Sequence, residues 1–372
     1  MAKKREQEHL FLMYPNERQL LRCYDNLPKR AKRRLRLYAR WHCLSLLKED
    51  YETLKSRLLI SNDQDEEQRI TVESNIQFTL HDANRASKQT VPWGISRLQA
   101  PQVWTTSEGA GVKVGVIDTG INAHHPDLNG NVKGGVNTFN STSPFVDDNG
   151  HGTHVAGTIA ALNNSFGVVG MAPRAELYAL KCFAPEGTAD LVDIAQAIDW
   201  AIHHQVRVLN MSFGSAESSP VLHRAIKAAL QAGIIMVASA GNSSATLDYP
   251  ARYPEALAIG ALDSQNRVAS FSNYGKTLNY VAPGVDILST WPVPPGYNTL
   301  SGTSMSAPHI SGLCALLLAQ NPELTPLQIK RLMDQAARRI PRAPLNKQGR
   351  GVVTASRLLA ALSKMNKSSS SC

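Results

Sequence analysis

The chain after Gln89 alternates between two patterns of hydrophobic residues. Short apolar runs that end in Gly, Asn or Asp are typical of buried strands, and stretches with apolar residues three and four positions apart predict helices. The predicted strands are residues 112–117, 177–181, 206–211, 234–238 and 256–261, and the predicted helices are residues 153–162, 191–203 and 220–232. Buried strands that alternate with helices favour an α/β fold, in which three α/β/α layers contain a mostly parallel central sheet.

Residues 1–87 follow a different pattern. Within residues 37–58, apolar side chains at helical spacing predict one long helix, whose apolar face comprises Trp41, Leu44, Leu47, Tyr51, Leu54 and Leu58. A period of two over residues 70–80 predicts a strand, and the polar stretch that follows resembles a linker. We therefore expect an N-terminal region at 1–87, a main domain at 88–363 and a flexible Ser-rich tail at 364–372.

Composition and charge narrow the class of protein. Of the 372 residues, 43% are hydrophobic and 19% are charged, which is typical of a folded globular protein. The longest apolar run, residues 310–319, is about half as long as the ~20 residues of a membrane helix, so we expect no membrane partner. The net charge is +9, and one basic run at 29–36 could contact nucleic acid or form a solvated helix face. We favour the solvated face and expect no nucleic-acid partner.

The cysteines and the start of the chain bear on location. The five cysteines are odd in number and contain no Cys-x-x-Cys pair, which argues against a disulfide framework or a zinc site. The apolar stretch after the basic start ends at Pro15 and is too short for the core of a signal peptide. We therefore expect a cytoplasmic protein, with secretion as the alternative.

Three short segments contain the residue types that nucleophilic catalysis requires. Asp118 ends a predicted strand, His151 opens a predicted helix, and Ser304 stands where a loop enters the apolar run at 310–319. A serine at a helix N-terminus lies beside amide donors and the positive end of the helix dipole, which suits a developing oxyanion. Each segment alone is weak evidence, but together they predict a hydrolytic site.

Other enzyme classes place their residues differently. An α/β-hydrolase esterase has Gly-x-Ser-x-Gly and the order Ser, acid, His, whereas here the order is Asp, His, Ser. A His-Glu-x-x-His metallopeptidase is excluded because Gly152 and Thr153 separate the two histidines, and a dinucleotide-binding loop is excluded because Gly109 and Gly111 precede the first strand. A binding or scaffold protein with the same fold is the remaining alternative, and it requires that the catalytic activity has been lost.

The segments around Asp118, His151 and Ser304, with those at 209–214, 240–242 and 281–285, closely resemble the subtilisin family of serine peptidases. The resemblance covers about residues 89–362 and implies a serine endopeptidase that hydrolyses proteins or peptides. It implies that Ser304 is the nucleophile, that His151 is the general base and that Asp118 orients the histidine. Asn242 matches the side-chain donor of the family's oxyanion hole. His154 and His309 match no catalytic role, and we expect both to be structural.

The resemblance also implies where a substrate binds. An edge strand formed by Ser212, Phe213 and Gly214 would pair with an extended peptide. An apolar pocket for the fourth residue before the scissile bond would be lined by Phe183, Leu191, Ile194 and Phe213. Asp248 would lie at the base of the primary specificity pocket, where a carboxylate favours Lys or Arg. The alternative is that Asp248 points to solvent.

A calcium site and a propeptide are implied as well. The family's calcium ligands match the side chains of Gln89, Asp127 and Asn164 and the carbonyl groups of Leu162, Phe166 and Val168, and the alternative is an empty loop. The segment from Asp147 to Gly150 lacks the glutamate of an EF-hand and more simply shapes the turn into His151. Residues 1–87 would be an inhibitory propeptide, with Arg85 and Lys88 as candidate maturation sites. We expect the enzyme to be a monomer.

Overall fold

The computed structural model describes residues 9–38, 43–58, 70–74, 89–294 and 296–369. The chain divides into two compact units, Met1–Asp82 and Ala83–Cys372. The predicted domain boundary at 87/88, and with it Arg85 and Lys88, lies outside the described residues. That boundary therefore stays a prediction.

In its described residues, the first unit contains a four-stranded antiparallel sheet and three helices. Its strands are β1 (His9–Met13), β2 (Arg36–Tyr38), β3 (Cys43–Leu47) and β4 (Thr71–Ser74), and its helices are α1 (Glu17–Asp25), α2 (Lys29–Lys32) and α3 (Lys48–Leu58). The strand order is β2-β3-β1-β4, and all three pairings are antiparallel. Leucines on one face of the sheet and on α1 and α3 form a separate hydrophobic core, because a sheet of this size is stable only with one face covered.

The predicted helix over residues 37–58 is wrong in its first half. Leu44 and Leu46 are both fully buried at a period of two in β3, which pairs with β1 and β2. The spacing from Leu44 to Leu47 also fits a helix, so the periodicity alone is ambiguous over so short a run. The second half is helical as predicted, from Lys48 to Leu58. The predicted strand at 70–80 is confirmed over Thr71–Ser74, and its remainder lies outside the described residues.

The basic run at 29–36 is only partly helical. Its first four residues form α2, and the chain then turns into β2. Arg34 pairs with Glu49 at 2.8 Å and with Asp50 at 3.1 Å, so part of the positive charge is compensated within the unit. Exposed pairs of this kind contribute little stability.

The second unit is built on a seven-stranded parallel sheet between two layers of helices. Its strands are β5 (Lys113–Asp118), β6 (Val132–Asn137), β7 (Glu176–Lys181), β8 (Val208–Met211), β9 (Ile235–Ser239), β10 (Leu257–Leu262) and β11 (Tyr280–Pro283). A two-stranded antiparallel ribbon adds β12 (Ile287–Thr290) and β13 (Tyr297–Leu300). Its helices are α4 (Trp93–Arg97), α5 (His151–Ala160), α6 (Leu191–His203), α7 (Pro220–Gln231), α8 (Thr303–Gln320), α9 (Pro326–Ala336), α10 (Leu345–Gln348) and α11 (Ala355–Ser369).

The strand order β11-β10-β9-β8-β5-β7-β6 confirms the predicted α/β class. All five predicted strands and all three predicted helices in this unit are present, with ends shifted by a few residues. Four strands of this unit do not follow from the sequence pattern: β6 and β11 of the parallel sheet and the two ribbon strands β12 and β13. The sequence of β6, Val-Lys-Gly-Gly-Val-Asn, contains two glycines and a lysine in place of a continuous apolar run, and β11 is short and ends in proline.

Helix α8 passes through the middle of the unit and is buried over most of its length. Gly312 allows α8 to pack closely against the segment that contains Met171. A β-carbon at position 312 would overlap with the β-carbon of Met171. Pro308 lies within the helix. The close packing fixes the start of α8, where Ser304 lies, against the carboxyl edge of the sheet.

The last helix extends further than the sequence predicts. Residues 364–369 were expected in a flexible tail, but α11 continues to Ser369. Leu358 and Leu362 are buried, and the partly buried Met365 packs on the same core, so one apolar stripe carries the helix past the predicted boundary. Throughout the described segments, none of the helices combines the length and the apolar character that crossing a membrane requires.

A Gly312→Ala substitution is expected to lower the melting temperature by several degrees. The added methyl group must displace Met171 or shift α8, and overpacking of this kind costs about 1–3 kcal/mol. This cost exceeds the gain in helix propensity of about 1 kcal/mol. Thermal unfolding followed by circular dichroism measures the change. Gly134→Ala is the matched control, because its added β-carbon would lie 3.8 Å from the ring of Tyr178. Equal melting temperatures for the two variants would show that the packing at Gly312 is not tight.

Candidate active site

The candidate site lies where four parallel strands end. Asp118 is the last residue of β5 and Lys181 is the last of β7. Ser212 directly follows β8, and Asn242 follows β9 after a short turn. Since β5 has β8 on one side and β7 on the other, the chain reverses its winding at this point, where ligands of open α/β sheets bind.

Asp118 and His151 form a hydrogen-bonded pair. The Nδ1 atom of His151 lies 2.8 Å from Oδ1 of Asp118, whose side chain is almost completely buried. The same carboxylate oxygen accepts a hydrogen bond from the backbone N–H of Thr119 at 2.8 Å. The imidazole keeps 30% of its surface exposed. Its Nε2 edge is therefore free to act on a substrate while Nδ1 is held by the carboxylate.

A tight turn aims His151 at Asp118. The buried carboxylate of Asp147 accepts hydrogen bonds from the N–H of Gly150 at 2.8 Å and from the N–H of Thr153 at 2.9 Å. It also accepts a hydrogen bond from the hydroxyl of Thr119 at 2.8 Å, which links the turn to the end of β5. Gly150 has φ 115°, and a β-carbon there would clash with the ring of Trp291. These bonds are consistent with the expectation that the Asp147 segment shapes the turn.

The electrostatic environment raises the pKa of His151. Burial is the largest single effect and lowers the pKa, because the imidazolium ion loses hydration. The charge of the Asp118 carboxylate and its hydrogen bond, with a smaller contribution from Asp147, together outweigh burial. The histidine is therefore a stronger base than a free imidazole.

Ser304 lies in the first turn of α8, next to the segment that follows β8. Its hydroxyl donates to the carbonyl oxygen of Ser212 at 3.0 Å, and the hydroxyl of Ser212 donates to the carbonyl oxygen of Ser304 at 2.8 Å. The reciprocal bonds fix the start of the helix against the end of β8. The first backbone N–H groups of α8 and the positive end of its dipole lie at this same end of the helix, next to Ser304.

Asn242 is oriented by the residue before Ser304. Its Oδ1 atom accepts a hydrogen bond from the backbone N–H of Thr303 and another from the hydroxyl of Thr303, both at 2.9 Å. The amide oxygen is therefore occupied, and the Nδ2 donor is directed away from these groups. A β-carbon on Gly302 would lie 3.4 Å from Nδ2, so the absence of a side chain there leaves the donor accessible.

An open cleft of about 340 Å³ runs beside the Asp118–His151 pair. The predicted peptide-binding segment forms part of its wall, together with Phe183. The rings of Phe183 and Phe213 pack at 5.2 Å, Ile194 is buried and Leu191 is 39% exposed at the start of α6. Of the four predicted pocket residues, Phe183 and Phe213 line the cleft together, and a common pocket with Leu191 and Ile194 stays a prediction.

Asp248 lies close to two glycines, Gly214 after β8 and Gly241 after β9, which are called the glycine walls below. A β-carbon on Gly214 would be 2.7 Å from Cβ of Asp248, and one on Gly241 would clash with the carboxylate itself. The backbone of Tyr249 pairs with Ser215 in an isolated bridge, which holds this segment beside the predicted peptide-binding residues 212–214. These residues follow β8 and form no regular strand. Burial raises the pKa of Asp248. The side chain therefore faces the glycine walls in a partly dehydrated position.

The predicted calcium ligands come together at a second place in the unit. The amide nitrogen of Gln89 lies 2.7 Å from the carbonyl oxygen of Leu162, 3.2 Å from Oδ1 of Asn164 and 3.4 Å from the carbonyl oxygen of Val168. Asn164 also donates to Oδ1 of Asp127 at 3.0 Å. Phe166 takes part through its N–H, which donates to Oδ1 of Asn164 at 3.3 Å, so the predicted role of its carbonyl oxygen stays a prediction. Three oxygens thus surround one positively polarised group.

This donor set fits a hard cation. It combines one carboxylate with neutral carbonyl and amide oxygens, which is the mixture that Ca²⁺ prefers. In the part of the chain with described coordinates, no cluster of three or more His, Cys, Asp or Glu side chains suits a metal. A calcium site built mainly from carbonyl oxygens has no need of such a cluster.

The two remaining histidines of the sequence motifs are buried. His154 contacts the carbonyl oxygens of Ile287 and Asn298 through Nε2, and His309 contacts the carbonyl oxygen of Met305. Burial lowers the pKa of each to about 4, so both are neutral at ordinary pH. Their positions suit the structural role expected of them.

Comparison with known proteins identifies the family. The profile of the subtilase family matches residues 109–351. The chain is 47% identical over 269 residues to Subtilisin Savinase from Lederbergia lenta, which covers 72% of this chain and 98% of that protein. It is 47% identical over 269 residues to an alkaline protease from Alkalihalobacillus alcalophilus, covering 72% and 69% of the two chains. It is 42% identical over 291 residues to a thermostable alkaline protease from Halalkalibacterium halodurans, covering 78% and 79%.

These matches extend over the whole parallel sheet and the helix that carries Ser304, so the chain is a serine endopeptidase, a hydrolase that acts on proteins. It belongs to the subtilase family, as the resemblance of its motifs predicted.

The expected cytoplasmic location is wrong. The alkaline proteases that this chain resembles point to secretion. The cysteines misled the sequence analysis because Cys182 and Cys314 are completely buried in the core. A buried thiol behaves as a small apolar group and is shielded from oxidants, so it carries no information about the compartment.

An Asp118→Asn substitution is expected to lower turnover by about 10⁴-fold, the loss established for serine peptidases with this arrangement. A neutral histidine is needed as base, so wild-type kcat/KM falls as the pH drops through the raised pKa of His151. Without the carboxylate that pKa decreases, and the acidic midpoint moves to lower pH. The kcat/KM for a peptide substrate between pH 5 and 9 measures both effects. Asp199→Asn, on the exposed face of α6, is the control. An unchanged midpoint for Asp118→Asn would contradict the assignment.

Proposed function

We propose that the enzyme cleaves peptide bonds through a triad of Asp118, His151 and Ser304. The hydrogen bond between His151 and Asp118 carries the proposal, because it fixes the imidazole with Nδ1 protonated and leaves Nε2 as the base. The position of Ser304 at the start of a buried helix, beside the peptide-binding segment, supports its role as the nucleophile.

The reaction begins when the hydroxyl of Ser304 leaves its hydrogen bond to Ser212 and turns toward His151. The imidazole takes the hydroxyl proton as Oγ attacks the substrate carbonyl, and it later returns that proton to the leaving amine. Asp118 stays ionised and stabilises the imidazolium ion. A water molecule then hydrolyses the acyl-enzyme by the same proton transfers.

The oxyanion that develops on the substrate is stabilised by Nδ2 of Asn242 and by an N–H at the start of α8. Thr303 holds the amide of Asn242 in the orientation this requires. Loss of the asparagine donor reduces turnover by about 10²–10³-fold, a magnitude already established by mutagenesis of a subtilisin.

A protein substrate binds in extended form. Ser212, Phe213 and Gly214 supply main-chain donors and acceptors to one edge of the peptide. The apolar surface of Phe183, Leu191, Ile194 and Phe213 takes the side chain four residues before the scissile bond. Exposed or unfolded segments of proteins suit this mode, since they can adopt the conformation of an added strand.

Asp248 gives the enzyme a preference for Lys or Arg directly before the scissile bond. Its carboxylate lies against both glycine walls of the pocket, where a long basic side chain would reach it. A charge-assisted hydrogen bond in a partly dehydrated pocket is stronger than one in water.

An Asp248→Gly substitution is expected to remove this preference. The ratio of kcat/KM for matched peptides with Arg and with Leu before the cut should fall by about 10- to 100-fold, the worth of a hydrogen bond to a charged group. Asp199→Asn, on the exposed face of α6, is the control and should leave the ratio unchanged. Equal cleavage after Arg and Leu by the wild type would contradict the proposal.

Residues 1–87 form a propeptide that is removed after folding, and residues 88–363 form the peptidase. The division of the chain into two compact units supports this proposal. The 269-residue match covers 98% of Savinase but 69% of the alkaline protease from A. alcalophilus, so about a third of the latter protein lies outside its match. The released peptidase acts as a monomer.

Incubation of the purified full chain tests the triad and the propeptide together. Wild type should lose the residues up to the 81–88 segment, and Ser304→Ala should stay whole and inactive. Intact mass spectrometry measures the products. Ser301→Ala, three residues upstream and exposed, should mature like wild type. If Ser304→Ala also matures or cleaves peptides, Ser304 is not the nucleophile. If wild type stays whole but cleaves peptides, the extension is not a propeptide.

Calcium binds to Gln89, Asp127, Leu162, Asn164, Phe166 and Val168. The convergence of several of their oxygens on the amide nitrogen of Gln89 supports the proposal. The ion stabilises the fold by tying the segment at Gln89 to the loop after α5, and it takes no part in the chemical steps.

Removal of calcium is expected to lower the melting temperature. At calcium concentrations about 100 times Kd, binding contributes about 2.7 kcal/mol, equivalent to roughly 5–10 °C. The measurement is thermal unfolding of Ser304→Ala, with calcium or with a chelator, so that self-digestion does not interfere. Asp127→Ala should abolish the calcium-dependent shift, and Asp286→Ala should retain it. A shift of equal size in Asp127→Ala would place calcium elsewhere.

A further inference from the structure

Lys181 is a charged side chain in a position that usually excludes charge. Among the lysines and arginines whose burial the structure describes, it is the one that is buried, with 3% of its side chain exposed. It ends β7 and is the register partner of Asp118 in β5. A buried ammonium ion is costly unless all its hydrogens are bonded and its charge is compensated.

All three hydrogens of the ammonium group have acceptors. Nζ lies 2.6 Å from the carbonyl oxygen of Thr119, 2.6 Å from Oδ1 of Asp148 and 3.3 Å from the carbonyl oxygen of Phe183. The group therefore has no capacity left for a substrate or an ion, and its contacts define its role.

The three acceptors belong to three loops of the proposed site. Thr119 directly follows Asp118 and binds its carboxylate. Asp148 lies in the turn that delivers His151 to that carboxylate. Phe183 is part of the apolar surface proposed for the substrate. One cation thus connects the loop of the acid, the turn of the base and a wall of the binding cleft.

We propose that Lys181 is a positioning residue, whose ammonium group sets the placement of Asp118, His151 and Phe183 relative to one another. The proposal rests on the triad proposed above. Packing alone would not need the charge, because methionine fills a similar volume without any desolvation cost. The hydrogen bonds to Thr119 and Asp148 join the loop of Asp118 to the turn of His151. A small displacement of either segment would misalign the imidazole, and such misalignment costs up to about 10²-fold in rate.

The proposal includes an electrostatic effect of Lys181 and Asp148 on His151, because Asp148 lies three residues before His151 and binds the ammonium group at 2.6 Å. The charged groups that act directly on His151 are the carboxylates of Asp118 and Asp147, and the nearby His154 is neutral. Lys181 favours the neutral imidazole, and Asp148 favours the protonated one. Loss of the cation should therefore raise the pKa of the base, and loss of the anion should lower it.

Four variants of the enzyme, each produced as the full chain, separate positioning from charge. Lys181→Met removes the cation and its hydrogen bonds. Asp148→Ala removes one bond and the anion, whereas Asp148→Asn removes the anion but keeps an acceptor. Asp148 is 46% exposed, so its variants are expected to fold even if Lys181→Met does not. Lys113→Met is the control, since Lys113 opens the same strand as Asp118 at the opposite edge and donates to a backbone carbonyl.

The measurement is kcat/KM and kcat for one peptide against pH. For Lys181→Met we expect an acidic midpoint raised by about 0.5–1 unit and a plateau kcat at least 10-fold lower. Both Asp148 variants should lower the midpoint by a few tenths of a unit, but only Asp148→Ala should lose about 10-fold in kcat. Lys113→Met should behave as wild type.

The outcomes are distinct. Midpoints that stay at the wild-type value, or that move in the same direction in Lys181→Met and Asp148→Asn, overturn the proposed charge effect. A wild-type kcat in Asp148→Ala overturns the positioning role, whether or not Lys181→Met folds. If Ser304→Ala remains active in the same assay, the triad itself fails. An inactive Ser304→Ala with unaltered Lys181 and Asp148 variants refutes the positioning role alone.

Discussion

The hydrogen bond between His151 and Asp118 depends on two distant parts of the chain meeting within 2.8 Å. The acid is fixed because β5 is a central strand with a parallel neighbour on each side. The base is fixed because α5 begins in a turn held by the buried carboxylate of Asp147. A parallel sheet ends all its strands at one edge, so the same constraint brings Ser212 and Asn242 to this edge.

The polar groups around the site form a connected network. Asp147, Thr119 and Lys181 are buried, and each uses its hydrogen-bonding capacity on a neighbouring loop. Such groups are costly in an apolar interior unless they are satisfied, so the loops have few alternative arrangements. The network thereby connects the loops of the candidate site to the stable sheet and keeps these loops rigid. Preorganised dipoles of this kind account for much of the rate enhancement of enzymes.

The sequence predicted the sheet well because its strands are buried on both faces and appear as continuous apolar runs. It failed at β6, where Gly134 and Gly135 interrupt that run, and at β3, where a short leucine pattern fits either period. Asp118, His151, Ser304 and Asn242 could be proposed from the sequence because they stand in recognisable motifs. Lys181 and Thr303 were missed, because a lysine or threonine beside an apolar run gives no sign of its partners. Those partners are fixed only when loops far apart in the chain come together.

Helix α8 is buried along most of its length and carries Ser304 in its first turn. A peptidase that binds extended chain can also cleave its own mobile loops, and autolysis begins wherever a segment can peel away from the surface. Helix α8 could enter the cleft of another molecule only after the sheet against which it packs had unfolded. During storage, autolytic cleavage should therefore accumulate in the surface loops while α8, with Ser304, stays intact. The affinity for substrate would then decrease before the Ser304 hydroxyl is displaced.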